Sequence, residues 1–247
     1  EAPTAKLIQI VMCGARIIPV KGTYDDAYDL SIELTKETGI YNRNTAFNPL
    51  TVEGKKTAAF EIYDQLDGVI PDNIFVPVGD GVVLSGLYKG FEELLKLHIT
   101  HMMPNIVAVQ AAGSPNLVNN LGKETFRPTR SKTIADSISV DIPRNFYMAN
   151  QYLMQYKGEG ITVTDEEIID AGSKLARNTG ILAEPAAAAS MAGFLKYHKQ
   201  GKIGKESINM VMVTGSGLKD IGAYDSRLKL PKSLDLNVSK VKKALKL

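Results

Sequence analysis

The stretch that most constrains this chain is Asn73 to Phe91, NIFVPVGDGVVLSGLYKGF. Ile74 to Val78 is a short apolar run, the pattern of a strand buried on both faces. Gly79-Asp80-Gly81 breaks it. From Val82 onward Leu84, Leu87, Phe91 and Leu94 recur at helical spacing. The order is strand, glycine turn, helix. Two glycines let the backbone approach a ligand closely, and the first N–H groups of a helix lack intrahelical partners. With the helix dipole they form a site for a phosphate or another anion. The alternative is a βα turn whose glycines serve geometry alone. A dinucleotide fingerprint is excluded, because G-x-G-x-x-G requires glycine at position 84, which is Leu84. A P-loop is excluded because no G-K-[ST] follows.

The flanking sequence repeats the alternation. The spacing predicts helices over Ala5–Cys13, Tyr24–Thr38 and Glu53–Leu66, with Arg16–Val20 as a strand between the first two. A helix feeding a strand looks like the tail of a βαβ unit whose first strand is missing. Ile106–Gln110 is the next buried strand. Thr164 and Glu167 form a capping box that opens a helix running to Asn178, before Gly180. Glu184-Pro185-Ala186 starts another, PAAAASMAGFLKY, whose small side chains suit tight packing. Ile208–Val213 is the most apolar strand, followed by Thr214-Gly215-Ser216-Gly217. A hydroxyl at the C-terminal end of such a strand lies where open α/β sheets bind ligands. Thr214 either does this or caps the next turn. Ser233–Leu247 reads as a basic amphipathic helix docked on the domain surface, with Val238, Val241 and Leu245 inward. The fold class expected is α/β, a mostly parallel sheet with helices on both faces.

Composition narrows the chemistry. The 247 residues are 44% hydrophobic and 23% charged, and the net charge of +2 is too mild to argue for nucleic acid. Cys13 is the only cysteine, so no internal disulfide or multi-cysteine metal site is possible, which fits a reducing, cytoplasmic setting. No apolar run approaches the roughly 18 residues of a membrane span. The N-terminus has no basic region ahead of an apolar one, so no signal peptide is read there. A start at Glu1 rather than Met hints at a chain that begins inside a longer protein. His98 and His101 are read as two surface histidines, since zinc needs three or four ligands, and no metal is expected. Lys123, Arg127, Arg130 and Lys132 make either a solvated basic loop or an anion-facing one.

Several stretches converge on one family. Asn48-Pro49 with Glu53-Gly54-Lys55-Lys56-Thr57, Val78-Gly79-Asp80-Gly81, Gly180 with Glu184-Pro185-Ala186, and Val213-Thr214-Gly215-Ser216-Gly217-Leu218-Lys219 occur in order and in register. Together they resemble the threonine synthases, pyridoxal-phosphate (PLP) enzymes of fold type II, over nearly all of the chain. The resemblance implies PLP as cofactor. It implies that Gly79, Asp80, Gly81, Val82 and Val83 hold the cofactor phosphate through backbone N–H groups, and that Thr214 hydrogen-bonds the pyridine nitrogen. It implies a small amino-acid substrate, phosphorylated homoserine, converted with water to threonine and phosphate by a homodimer. Serine/threonine dehydratase and cysteate synthase share these motifs. The loop GDGVV departs from the small or asparagine residues usual there, and Ser216 stands where a histidine is common. Asp80 beside a phosphate requires its side chain to point away. The family's Schiff-base lysine motif and its substrate-carboxylate loop occur nowhere in these residues, and Lys55 and Lys56 match no catalytic position. No catalytic residue is therefore assigned. Residues 1–45 are read as the end of a smaller domain and 46–247 as the larger one. The chain as the C-terminal part of the enzyme is then expected to be inactive alone. A non-catalytic binding module that keeps the phosphate loop is the alternative from a different class.

Overall fold

The computed structural model describes residues 2–225 and 230–246. Its centre is a four-stranded, all-parallel sheet. β1 (Asn73–Pro77) pairs with β2 (Asn105–Ala111) on one side and β4 (Asn209–Val211) on the other, and β3 (Glu159–Val163) pairs with β2. The spatial order is β3-β2-β1-β4. Side chains alternate across a strand, so a doubly covered strand must be apolar at every position. Ile74, Val76, Ile106 and Ala108 enter one core with α3 (Leu50–Gln65), α4 (Val82–Lys96) and α5 (Phe146–Gln155). Phe75, Val107 and Val109 enter the other with α6 (Asp165–Thr179) and α7 (Pro185–Lys199). The expected α/β sheet with helices on both faces is what the chain forms.

Two packing details position the site. On α4, a Cβ added at Gly86 would lie 2.7 Å from the Lys55 Cβ, and one at Gly90 would lie 2.5 Å from the Lys56 carbonyl oxygen. These glycines, one helical turn apart, let the α3 backbone settle onto α4. On α7, Ala186 to Ala189 are all buried, and a Cβ at Gly193 would lie 2.5 Å from Val109 Cγ2. The alanines therefore serve the close helix-to-sheet contact that the sequence suggested. The Thr164–Glu167 capping box is present, with the Thr164 N–H donating to Glu167 at 2.7 Å and the Glu167 N–H donating to the Thr164 hydroxyl at 3.2 Å.

Other expectations are corrected. Arg16–Val20 forms no strand. Pro19 lacks a donor, no neighbouring strand pairs with it, and Ile18 stays exposed. β4 is shorter than Ile208–Val213 and only half-buried, because it lies at the edge of the described sheet. The tail helix forms as α8 (Val238–Leu245), but none of its residues is buried, and Val238, Val241 and Leu245 are exposed rather than inward. Leu247 lies outside the described residues. His98 falls just beyond the end of α4 with a positive φ of 56°. Among the described residues no group of three or more His, Cys, Asp or Glu side chains is placed to hold a metal ion. No helix among them is long and apolar enough to cross a membrane. The sequence reading missed α1's exposure: α1 (Thr4–Met12) buries no residue, and α2 (Tyr24–Thr38) buries only Tyr28.

Candidate functional site

The parallel pairing of β1 and β4 brings their C-terminal ends to one edge of the sheet. The chain leaves β1 through Gly79-Asp80-Gly81 and enters α4. Gly81 has φ 91°, a left-handed conformation that a side chain would strain. No side chain caps the first turn of α4, so its opening N–H groups keep the free donors of a helix start. The turn and residues 82–84 line a cavity of about 190 Å³ together with Thr45, Lys55, Ser137 and Thr214. Gly79, Asp80, Gly81, Val82, Val83 and Thr214 are thus brought together around one cavity. Of the two readings of Thr214, the capping role belongs elsewhere: the Ser216 hydroxyl accepts from the Leu218 N–H at 3.3 Å.

Both carboxylate oxygens of Asp80 are taken up by groups outside the turn. Its carboxylate accepts from the Tyr24 hydroxyl at 2.8 Å and from the Arg144 N–H at 3.0 Å. Burial pushes the pKa of Asp80 up, against the lowering effect of the Arg144 N–H. Tyr24 is raised too, first by burial and then by the Asp80 charge. Arg144 continues the tie: its guanidinium meets Asp25 at 3.3 Å and Asp29 at 3.0 Å and lies 4.6 Å over the Tyr28 ring. The acidic residue in the turn therefore ties α2 to the loop, at the rim of both cavities.

Three further supports had no sequence signal. Buried Gln110, on β2, donates to the Val78 carbonyl at 3.1 Å and accepts from the Leu117 and Val118 N–H groups, each at 2.9 Å. Asn145 donates to the Ser85 hydroxyl at 2.7 Å, and its backbone N–H bonds the Asp80 carbonyl at 3.1 Å. Buried Asn116 donates to the Thr129 and Val140 carbonyls and accepts from the Thr129 N–H at 2.7 Å. Buried amides can replace secondary-structure bonds in this way, so residues 112–144 are held in place with no strand or α-helix, only short 3-10 turns at Val118–Asn120 and Asp136–Ile138. In that stretch Lys123, Arg127, Arg130 and Lys132 are exposed, and Arg130 lines an adjoining cavity of about 880 Å³ that shares Thr45, Asp80 and Ser137 with the first. The solvated reading of the basic loop describes all four exposed cations, and Arg130 also lines a cavity whose wall includes Asp25, Asp80, Asp136 and Asp141.

Lys55, to which the sequence assigned no role, is half-buried in the smaller cavity wall. Burial pulls its pKa down, and the nearby Arg43 charge does so further.

The arrangement suits a phosphate: free amides at a helix start, a left-handed glycine, and a neighbouring carboxylate already occupied by other donors. The chain matches the family model described as "pyridoxal-phosphate dependent enzyme" over residues 1–215. The threonine synthase of Methanocaldococcus jannaschii is 37% identical over 244 residues, which is 98% of this chain and 60% of the relative. That of Mycobacterium bovis is 38% identical over 215 residues, 87% of this chain and 58% of the relative. The chain thus spans about 60% of the length of these curated relatives. Among solved structures, the processed form of threonine deaminase isoform 2 from Solanum lycopersicum superposes with a TM-score of 0.73 at 20% identity, covering 99% of this chain and 60% of that one. Serine racemase from Dictyostelium discoideum superposes with a TM-score of 0.69 at 22% identity, covering 93% and 67%. At such identities the likeness concerns the fold alone, and that fold is the type II architecture expected above. By its own residues and by these similarities, the chain belongs to the pyridoxal-phosphate dependent enzyme family.

Proposed function

We propose that the complete protein is a threonine synthase, converting O-phosphohomoserine and water to threonine and phosphate. The observation that carries this reading is the 37% identity to a threonine synthase over 98% of the chain. PLP, once bound, supplies an electron sink for charge that develops on the substrate carbon skeleton. The residues of this chain hold and orient it. The amides of Gly79–Val83 would receive its phosphate at the uncapped start of α4. Asp80, held by Tyr24 and Arg144, keeps its charge out of that nest. Thr214 would hydrogen-bond the pyridine nitrogen. A hydroxyl there, unlike a carboxylate, leaves that nitrogen largely unprotonated, which moderates carbanion chemistry.

The remaining parts are proposals of the same kind. The Schiff-base lysine and the substrate-carboxylate loop would come from the complete protein outside these residues, so this chain alone would be inactive. Residues 1–45 would end a smaller domain and 46–247 form the larger one. The enzyme would act as a cytoplasmic homodimer. The test is phosphate release from O-phosphohomoserine by the complete protein, with threonine as co-product, slowed when Thr214 becomes Val. A complete protein that binds PLP but deaminates threonine and ignores phosphohomoserine replaces this reading with a dehydratase.

A further inference from the structure

A phosphate monoester carries about −1.5 to −2 charges at neutral pH. A helix N-terminus offers the equivalent of only about +0.5. Backbone amides at the start of α4 therefore leave roughly one unit of negative charge uncompensated. A cation must stand beside them, or the dianion binds weakly. Among the residues lining the cavity, Lys55 is the single cation, Thr45, Ser137 and Thr214 offer neutral hydroxyls, and the single carboxylate, Asp80, is already bonded by the Tyr24 hydroxyl and the Arg144 N–H.

The placement of Lys55 is set by packing. Its Cβ and backbone sit against Gly86, which lies one turn into α4, and any side chain at 86 would displace them. Its charge is uncommitted, in contrast to its neighbours. Lys56 meets Glu53 at 2.7 Å and Glu93 at 2.9 Å, and Lys89 meets the same two carboxylates at 3.2 Å each. The acids of the α3–α4 interface are thus already paired, and among the described residues Lys55 forms no ion pair. Its other charged neighbour is Arg43, of the same sign. A half-buried ammonium with a like charge nearby and no counter-ion is unfavourable until an anion arrives.

Resting on the reading of Gly79–Val83 as a phosphate cradle, we propose that Lys55 is a further binding residue of this site, supplying the positive charge for a phosphate monoester lodged at that turn. The phosphate has two sources of the same chemistry, the cofactor's own group or the substrate's. Lys55 binds in either case through a charge-assisted hydrogen bond and forms no covalent bond.

The experiment uses two probes that carry no aldehyde, pyridoxine 5′-phosphate and its unphosphorylated parent pyridoxine, together with inorganic phosphate and O-phosphohomoserine. Affinities are measured by calorimetry on the 247-residue chain and on the complete protein. Acetylation of Lys55 is followed by peptide mass spectrometry with and without each probe. Lys55→Gln should weaken phosphate and pyridoxine 5′-phosphate by about 10–100-fold, the range for one hydrogen bond to a charged group. It should leave pyridoxine unchanged, and Lys55→Arg should recover most of the loss. Lys56→Gln, whose side chain is occupied by glutamates, should have no effect. In the unaltered chain, pyridoxine 5′-phosphate should slow acetylation of Lys55 and pyridoxine should not. This readout stands even if the Gln variant folds poorly. Protection by O-phosphohomoserine on top of saturating pyridoxine 5′-phosphate would assign the charge to the substrate's phosphate instead of the cofactor's. If Lys55→Gln binds inorganic phosphate, pyridoxine 5′-phosphate and O-phosphohomoserine all as tightly as the parent while Gly81→Pro does not, Lys55 has no such role and the cradle stands. If Gly81→Pro also binds normally, the cradle reading itself is lost.

Discussion

Alanine substituted for glycine should have opposite signs at two positions of the α3–α4 pair. In a helix interior the replacement normally stabilises by about 0.5–1 kcal/mol, because glycine loses more backbone entropy on folding. Gly54, on α3, is exposed and has nothing within 4 Å of an added Cβ, so Gly54→Ala should show that gain unopposed. At Gly90 the same methyl would lie 2.5 Å from the Lys56 carbonyl oxygen and 2.6 Å from the Ala59 Cβ. Neither is the end of a flexible side chain, so the helices must separate. Overpacking of this kind costs about 1–3 kcal/mol, and contacts this short to rigid atoms belong in its upper half, about 2–3, which leaves a net loss of about 1–2 kcal/mol after a propensity gain of about 1. For a chain of this size each kcal/mol moves Tm by about 2–4 °C. Gly90→Ala should therefore melt about 2–8 °C below the parent and Gly54→Ala about 1–4 °C above it. Circular dichroism melts, with urea titrations at matched m-values, give both numbers. A Gly90→Ala protein as stable as the parent would show that α3 is not held against α4 by backbone contact, and the placement of Lys55 would fall with it.

Other outcomes follow from the same geometry. Gly81→Pro removes an N–H and demands φ near −65° where the chain has 91°, so PLP affinity should drop by at least about 100-fold by titration of the complete protein. Borohydride reduction of the 247-residue chain with PLP should attach no cofactor at Lys55, which is placed for the phosphate; a stable adduct there by mass spectrometry refutes that placement. Asp80 has a native pKa raised above its unfolded value, chiefly by burial, so its contribution is full below about pH 3.9 and is lost as pH rises through the native value. Asp80→Asn keeps an acceptor for Arg144 and gains a donor for Tyr24. Its stability should match the parent in acid and equal or exceed it at pH 7 in denaturant titrations; a variant weaker at pH 7 than in acid reverses the sign. Thr164→Ala removes the α6 cap and should cost about 1 kcal/mol, or a Tm drop of about 2–4 °C.

The local sequence determined what local physics controls. Apolar runs bounded by glycine gave β1, β2 and the α4 start, because burial on two faces leaves no polar option. Side-chain caps fixed the start of α6, since the Thr164 hydroxyl and Glu167 carboxylate satisfy donors only a few residues away. The motif residues Gly79–Val83 and Thr214 were legible as separate pieces, and β4's parallel pairing with β1 placed them around one cavity. Where partners lie far away in the chain, the sequence was silent or misleading. Arg16–Val20 has strand composition but no neighbouring strand to pair with. Val238, Val241 and Leu245 have an amphipathic pattern but cover no surface among the described residues. Asp80 looked like a liability beside a phosphate until Tyr24 and Arg144, 56 and 64 residues away, turned it aside. By sequence Lys55 and Lys56 alike matched no catalytic position. Lys56 has Glu53 from its own helix, but only the close approach of α3 to α4 adds Glu93 to it and leaves Lys55 facing the cavity, because a charge's role is set by which groups surround it in space.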